Sequence, residues 1–202
     1  MRRYALPGAI TVVVIAFLIV LVVGLSHTGP SNEVFSQIQA GHTPKAPDPE
    51  LELPLIGTKA AQSTAKYRGH YLMVNFFAGW CTDCQSEIGE VALARKMLSA
   101  HDGKVLGVTW DDSSSDALKF MARNKLTYAA VSDANSTLSN AYGVNGVPES
   151  FIINPQGKVV AARPCPLTNG WVIKTLDRVL GEHKSAVGAE NAGCASDPSE
   201  SS

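Results

Sequence analysis

The sequence predicts an α/β fold in which a central mixed β-sheet carries helices on both faces. Three observations lead there. Apolar runs of strand length alternate with helical patterns through the middle of the chain, two short apolar segments then flank a tight turn, and a last helical pattern follows. Alternation calls for parallel strands joined by helices, and the hairpin adds antiparallel pairing.

The elements can be justified in order. Arg2 and Arg3 precede an apolar run from Ala9 to Leu25 that contains no charged residue. Its length is at the short end of a membrane span and long for the core of a secretory signal. The reading is a signal-anchor over residues 1–25, with the two arginines holding the N-terminus on the cytoplasmic side. Cleavage near Gly24 and Ser26 is the alternative. Residues 26–49 are polar and broken by prolines, which reads as a flexible linker; Val34, Phe35 and Ile38 supply at most one helical turn.

The folded domain is expected over residues 50–183. LELPLI, from Leu51, is a short edge strand because of Pro54. YLMVNFF (71–77) is a strand buried on both faces. A helix runs from Cys81 to about Ala100, with Ile88, Val91, Met97 and Leu98 as its apolar stripe. KVLGVTW (104–110) is the next strand, followed by a cap-rich turn and a helix over 116–125. A weak strand over 128–131 and a short helix over 136–142, stopped by Gly143, come next. Segments 150–153 and 158–162 flank the turn NPQG, and the final helix spans 171–180. The Ser/Gly/Ala-rich residues 184–202 read as a disordered tail.

Composition excludes some classes. The chain has 202 residues, 45% of them apolar and 17% charged, with a net charge of −1. This is the make-up of a folded domain and offers little attraction to nucleic acid.

Cys81 and Cys84 form a C-x-x-C pair where a buried strand hands over to a helix. Haem attachment would need histidine at 85, where Gln85 stands, and a zinc site would need a second close pair, whereas Cys165 and Cys194 stand apart. A purely structural bridge over so short a loop stabilises little. Redox exchange remains, and no cofactor or metal is expected. At a helix start the Cys81 thiolate meets unpaired N–H groups and the positive end of the dipole, so Cys81 is the exposed attacking sulfur and the deeper Cys84 the resolving one. An outward location past the anchor supplies the oxidising surroundings such chemistry uses. Cys165 and Cys194 are read as a bridge that tacks down the tail or as two idle thiols.

WCTDC (80–84) after an apolar strand, followed far downstream by GVNGVPESFIIN (143–154), resembles the thioredoxin superfamily, and most closely its membrane-anchored TlpA/DsbE-like branch. The extra strand–helix unit GVTWDD…ALKF (107–120) resembles that branch as well. The resemblance implies a thioredoxin-like fold and a thiol-disulfide oxidoreductase that reduces client disulfides, apocytochrome c among them, during cytochrome c maturation. It implies a transmembrane thiol donor that re-reduces the pair. Pro148 matches the superfamily's cis proline, which leaves the Val147 backbone free for a substrate strand beside the cysteines, with Trp80 alongside. Glu87 matches an acidic residue that follows the motif; it either exchanges protons with Cys84 or is a solvated first-turn glutamate. Glu149 matches too, acidifying the groove or merely sitting on the surface. Asp83 departs from the pattern, standing where many members carry proline, and a carboxylate there disfavours thiolate and favours a reductant. Two alternatives stay open: a general extracytoplasmic oxidase or reductase, and a Cu(I) metallochaperone using the two soft thiolates.

Overall fold

The computed structural model describes Val14 and residues 33–181. The rest of the apolar run, the first part of the linker, and the tail with Cys194 lie outside the described residues. Among the described residues no helix is long and apolar enough to cross a membrane.

The first element departs from the sequence reading. Residues 33–49, expected to be flexible linker, are folded onto the domain: α1 (Glu33–Gln39) buries Val34 and Ile38, and Ala46 is buried beyond it. Val34 and Ile38 are four residues apart and so share one helix face, whose apolar neighbours come from distant strands. Tertiary packing overrides a locally polar sequence here.

Two short strands, β1 (Leu53–Pro54) and β2 (Ala61–Gln62), pair antiparallel outside the main sheet, followed by a 3₁₀ turn over Thr64–Tyr67. The main sheet is built from β3 (Leu72–Phe77), β4 (Lys104–Thr109), β5 (Ala129–Ser132), β6 (Glu149–Ile153) and β7 (Val159–Arg163). Its order is β5-β4-β3-β6-β7, with β3, β4 and β5 parallel to one another and β6 antiparallel to both its neighbours, β3 and β7. The mixed sheet is the one the sequence predicts.

Every residue of β3 is buried, as its unbroken apolar run requires of a central strand. Leu72, Val74 and Phe76 point to one face, where they pack with α1 and with α5 (Thr137–Tyr142). Met73 packs on the other face against α3 (Ile88–Ser99) and α6 (Asn169–Leu180). Phe77, farther along that face, packs against α4 (Ser114–Arg123). Ser113 caps α4 and Thr168 caps α6, each accepting a backbone N–H. Helix α5 takes its cap from farther away: the buried Asp133 carboxylate accepts the N–H groups of Leu138 and Ser139. Gly143 ends α5 at φ +76°. In the hairpin turn Asn154 Oδ1 accepts the N–H groups of Gln156 and Lys158, and Gly157 supplies the positive φ.

Gly107 marks a close approach in β4. A Cβ there would sit 2.9 Å from Phe77 Cε1 and 3.1 Å from Ala130 Cβ. Gly107→Val is therefore expected to lower stability by about 1–3 kcal/mol, despite the strand preference of valine. The midpoint of urea unfolding checks it.

Candidate active site

The site lies at the C-terminal end of β3, where the chain turns through Ala78, Gly79 and Trp80 into the single-turn helix α2 (Thr82–Ser86). The sequence predicts one helix from Cys81 to about residue 100. The structure breaks it at Glu87, which ends α2 and starts α3 with φ −92° and ψ 8°. The dipole expected to act on Cys81 is thus that of one turn.

Cys81 and Cys84 form a disulfide, with sulfurs 2.02 Å apart. Cys81 is the N-cap of α2, and its Sγ accepts the Cys84 N–H at 2.9 Å. A donor aimed at this sulfur favours its anionic form on reduction. Cys81 was expected to be exposed; it is only 5% exposed, against 3% for Cys84. The cover comes from Val147, which packs against the apolar cluster holding both cysteines and places its carbonyl oxygen 3.5 Å from Cys81 Sγ. The Val147–Pro148 peptide is cis, and Pro148 is buried.

Glu87 is 1% exposed, so it is not the solvated first-turn glutamate of the alternative reading. Its Oε1 accepts Asn75 Nδ2 at 2.9 Å and its Oε2 accepts the Leu167 N–H at 2.6 Å. Asn75 Nδ2 also donates to Ser150 Oγ at 3.0 Å. Burial pushes the Glu87 carboxyl up to about 7, with the two hydrogen bonds opposing. Glu149 is likewise buried, at the start of β6, and not on the surface. Burial raises it to about 7 against hydrogen bonds from the Asn145 and Gly146 N–H groups. The motif region therefore holds two carboxyls that titrate near neutrality.

Trp80 is 56% exposed beside the disulfide. The loop after β4 holds it, and the sequence reading assigned that loop no part in the site. Trp80 Nε1 donates to the Asp111 carbonyl at 3.0 Å, and its ring lies 6.1 Å from that of Trp110. One residue earlier, the Gly79 N–H donates to Asp112 Oδ2 at 2.6 Å. Gly79 is required by the approach, since a Cβ would meet the Asp116 backbone at 2.9 Å.

Asn75, Ser150, Leu167 and the 110–112 loop are the site residues that sequence reasoning missed. One of them had a signal. An asparagine in the middle of a strand buried on both faces must find hydrogen-bond partners inside the protein. Cys165 is buried in the loop before α6, two residues before the Leu167 N–H that reaches Glu87. The Cys194 half of the expected bridge lies outside the described residues. Among the described residues no group of three or more His, Cys, Asp or Glu side chains is placed to hold a metal ion.

Comparisons with known proteins agree with this geometry. Residues 43–162 match the AhpC/TSA family. The thiol:disulfide interchange protein HelX of Rhodobacter capsulatus is 30% identical over 135 residues, covering 65% of this chain and 74% of that one. CycY of Rhizobium leguminosarum, also a thiol:disulfide interchange protein, is 28% identical over 132 residues, covering 62% and 68%. Among solved structures, a thiol:disulfide interchange protein DsbE from Chlorobium tepidum superposes with a TM-score of 0.60 at 25% identity, covering 72% of this chain and 97% of that one. A C-x-x-C disulfide at a strand–helix junction, on a thioredoxin-like sheet shared with such relatives, makes this chain a member of the AhpC/TSA family and a thiol-disulfide oxidoreductase of the thioredoxin-like fold.

Proposed function

We propose that the protein reduces disulfides of client proteins on the outer face of the cell membrane, held there by its N-terminal segment. Apocytochrome c is the client class in view, and a transmembrane thiol donor re-reduces the Cys81–Cys84 pair. The observation that carries the reading is the Cys81–Cys84 disulfide at the strand–helix junction, with the Cys81 sulfur accepting a backbone N–H.

The steps balance. Reduced Cys81, as thiolate, attacks one sulfur of the client disulfide and expels the other as a thiolate, which takes up a proton. Cys84 then gives its proton to Glu87 and attacks Cys81 Sγ, which expels the client's second sulfur as a thiolate that takes up that proton from Glu87. The client leaves as a dithiol, and the enzyme keeps the Cys81–Cys84 disulfide. Two electrons and two protons have passed to the client. Val147, at the mouth of the site, offers the client backbone a carbonyl next to the reacting sulfur. Support for the location comes from the two arginines ahead of an uncharged apolar run. A tether raises the effective concentration of the domain near membrane-bound partners.

The reduction potential of the pair in the full chain, from equilibration with a defined thiol–disulfide buffer, tests the direction. A value at or below about −270 mV is expected of a reductant. A value near about −120 mV would mean that the protein makes disulfides, with the steps above reversed.

A further inference from the structure

Trp80 is the most exposed large apolar side chain among the described residues, yet it is held in place. An exposed tryptophan ordinarily keeps its indole N–H toward water and buries its ring. Here the arrangement is reversed. The N–H is engaged by the Asp111 carbonyl and one side is backed by Trp110, so solvent meets mainly ring. The support is itself fixed: Asp112 binds both the Gly79 N–H and the Ser113 N–H, and Asp111 adopts φ +46°, a region non-glycine residues seldom visit. A rigid, preorganised aromatic face next to a reacting sulfur lowers the ordering cost of binding. The nearby chain is acidic: Asp83, three residues on, and Asp111, whose carbonyl holds the indole, are both exposed, while Lys119 is already paired with Asp116.

We propose that the exposed face of Trp80 docks a lysine or arginine side chain of the client beside its disulfide, with Trp110 and Asp111 as positioning residues that hold the ring. This rests on the reading of Cys81 as the sulfur that meets the client. Cation–π attraction supplies the contact, and the exposed carboxylates of Asp83 and Asp111 select the sign of charge. The client is thereby narrowed to polypeptides with a basic residue near the bridged cysteines. Small disulfides gain nothing from the ring.

The test uses the full chain and three substrates: a short C-x-x-C disulfide peptide with lysines beside the cysteines, the same peptide with norleucines there, and hydroxyethyl disulfide. The quantity read is the ratio of kcat/KM for the lysine peptide to that for the norleucine peptide. Wild type is expected to prefer lysine by about tenfold, a preference that shrinks with added salt. Trp80→Leu is expected to cut it to about twofold, and Trp110→Leu to lower it while Trp110→Phe retains it. Equal rates on the two peptides in wild type overturn the inference, and need no variant to fold. A preference that survives Trp80→Leu assigns the selection to the carboxylates alone and also overturns it. If wild type reduces none of the three, hydroxyethyl disulfide included, the reductase reading itself fails.

Discussion

Replacing Cys81 by serine takes disulfide reduction down to the uncatalysed background, whereas replacing Cys84 by serine leaves a protein that reacts once and stops. An alcohol is almost wholly un-ionised near neutral pH, and the N–H of Cys84 directed at position 81 stabilises an anion that serine does not form. With Cys84→Ser the attacking sulfur is intact, but the mixed disulfide has no neighbour to displace the client. The expected readouts are loss of turnover in both variants and a client adduct in the second alone, seen by intact mass without reductant. Turnover by Cys84→Ser would mean that another thiol resolves the adduct, and Cys165 would be the first to test.

Glu87→Gln is expected to remove an inflection near pH 7 from the rate profile and to slow client reduction at that pH by about 10²-fold, a common size for the loss of a general acid or base. Glu149 titrates in the same range, so Glu149→Gln is the control that assigns the inflection. Stability carries the same signature. Burial raises the Glu87 carboxyl from 4.5 to about 7 in the folded chain, so the folded state holds its proton more tightly than the unfolded one. Its contribution is fully present below about pH 4.5 and is lost as pH rises to about 7, a change of about 3 kcal/mol. Glu149 acts in the same direction. The unfolding free energy of wild type, measured between pH 4 and 8, should therefore fall relative to that of Glu87→Gln as the pH rises. A constant difference would leave Glu87 with a packing role only.

The parts of the fold that showed in the sequence are those governed by local rules. The run YLMVNFF declares a central strand, Gly143 a helix stop, and NPQG a hairpin turn, because each depends on residues within a few positions. The C-x-x-C junction was legible for the same reason. What stayed hidden depends on partners far along the chain. Val34 and Ile38 look like isolated apolar residues until strands more than a hundred residues away cover them. Nothing local ends a helix at Glu87; that carboxyl is drawn inward by Asn75 and Leu167, 12 residues before it and 80 after. The burial of Cys81 and Glu149 likewise follows from the 145–148 turn folding over the site. Trp110 and Asp112 read as the end of a strand and the start of a cap, because their second task appears only when the loop meets Gly79.

The path of the N-terminal arm has a consequence for how copies of this protein coexist. An open five-stranded sheet presents two edges, each a row of N–H and C=O groups ready to template another chain. Near β7 the arm lays down an antiparallel bridge between Lys45 and Lys158, and near β5 it lays down another between Leu55 and Val131, reinforced by the Ile56 N–H donating to the Ala130 carbonyl. One stretch of chain thus blunts both borders of the sheet. Lys45, in the stretch a sequence reading assigns to a spacer, and Leu55, in its expected edge strand, together act as a guard against edge-to-edge aggregation.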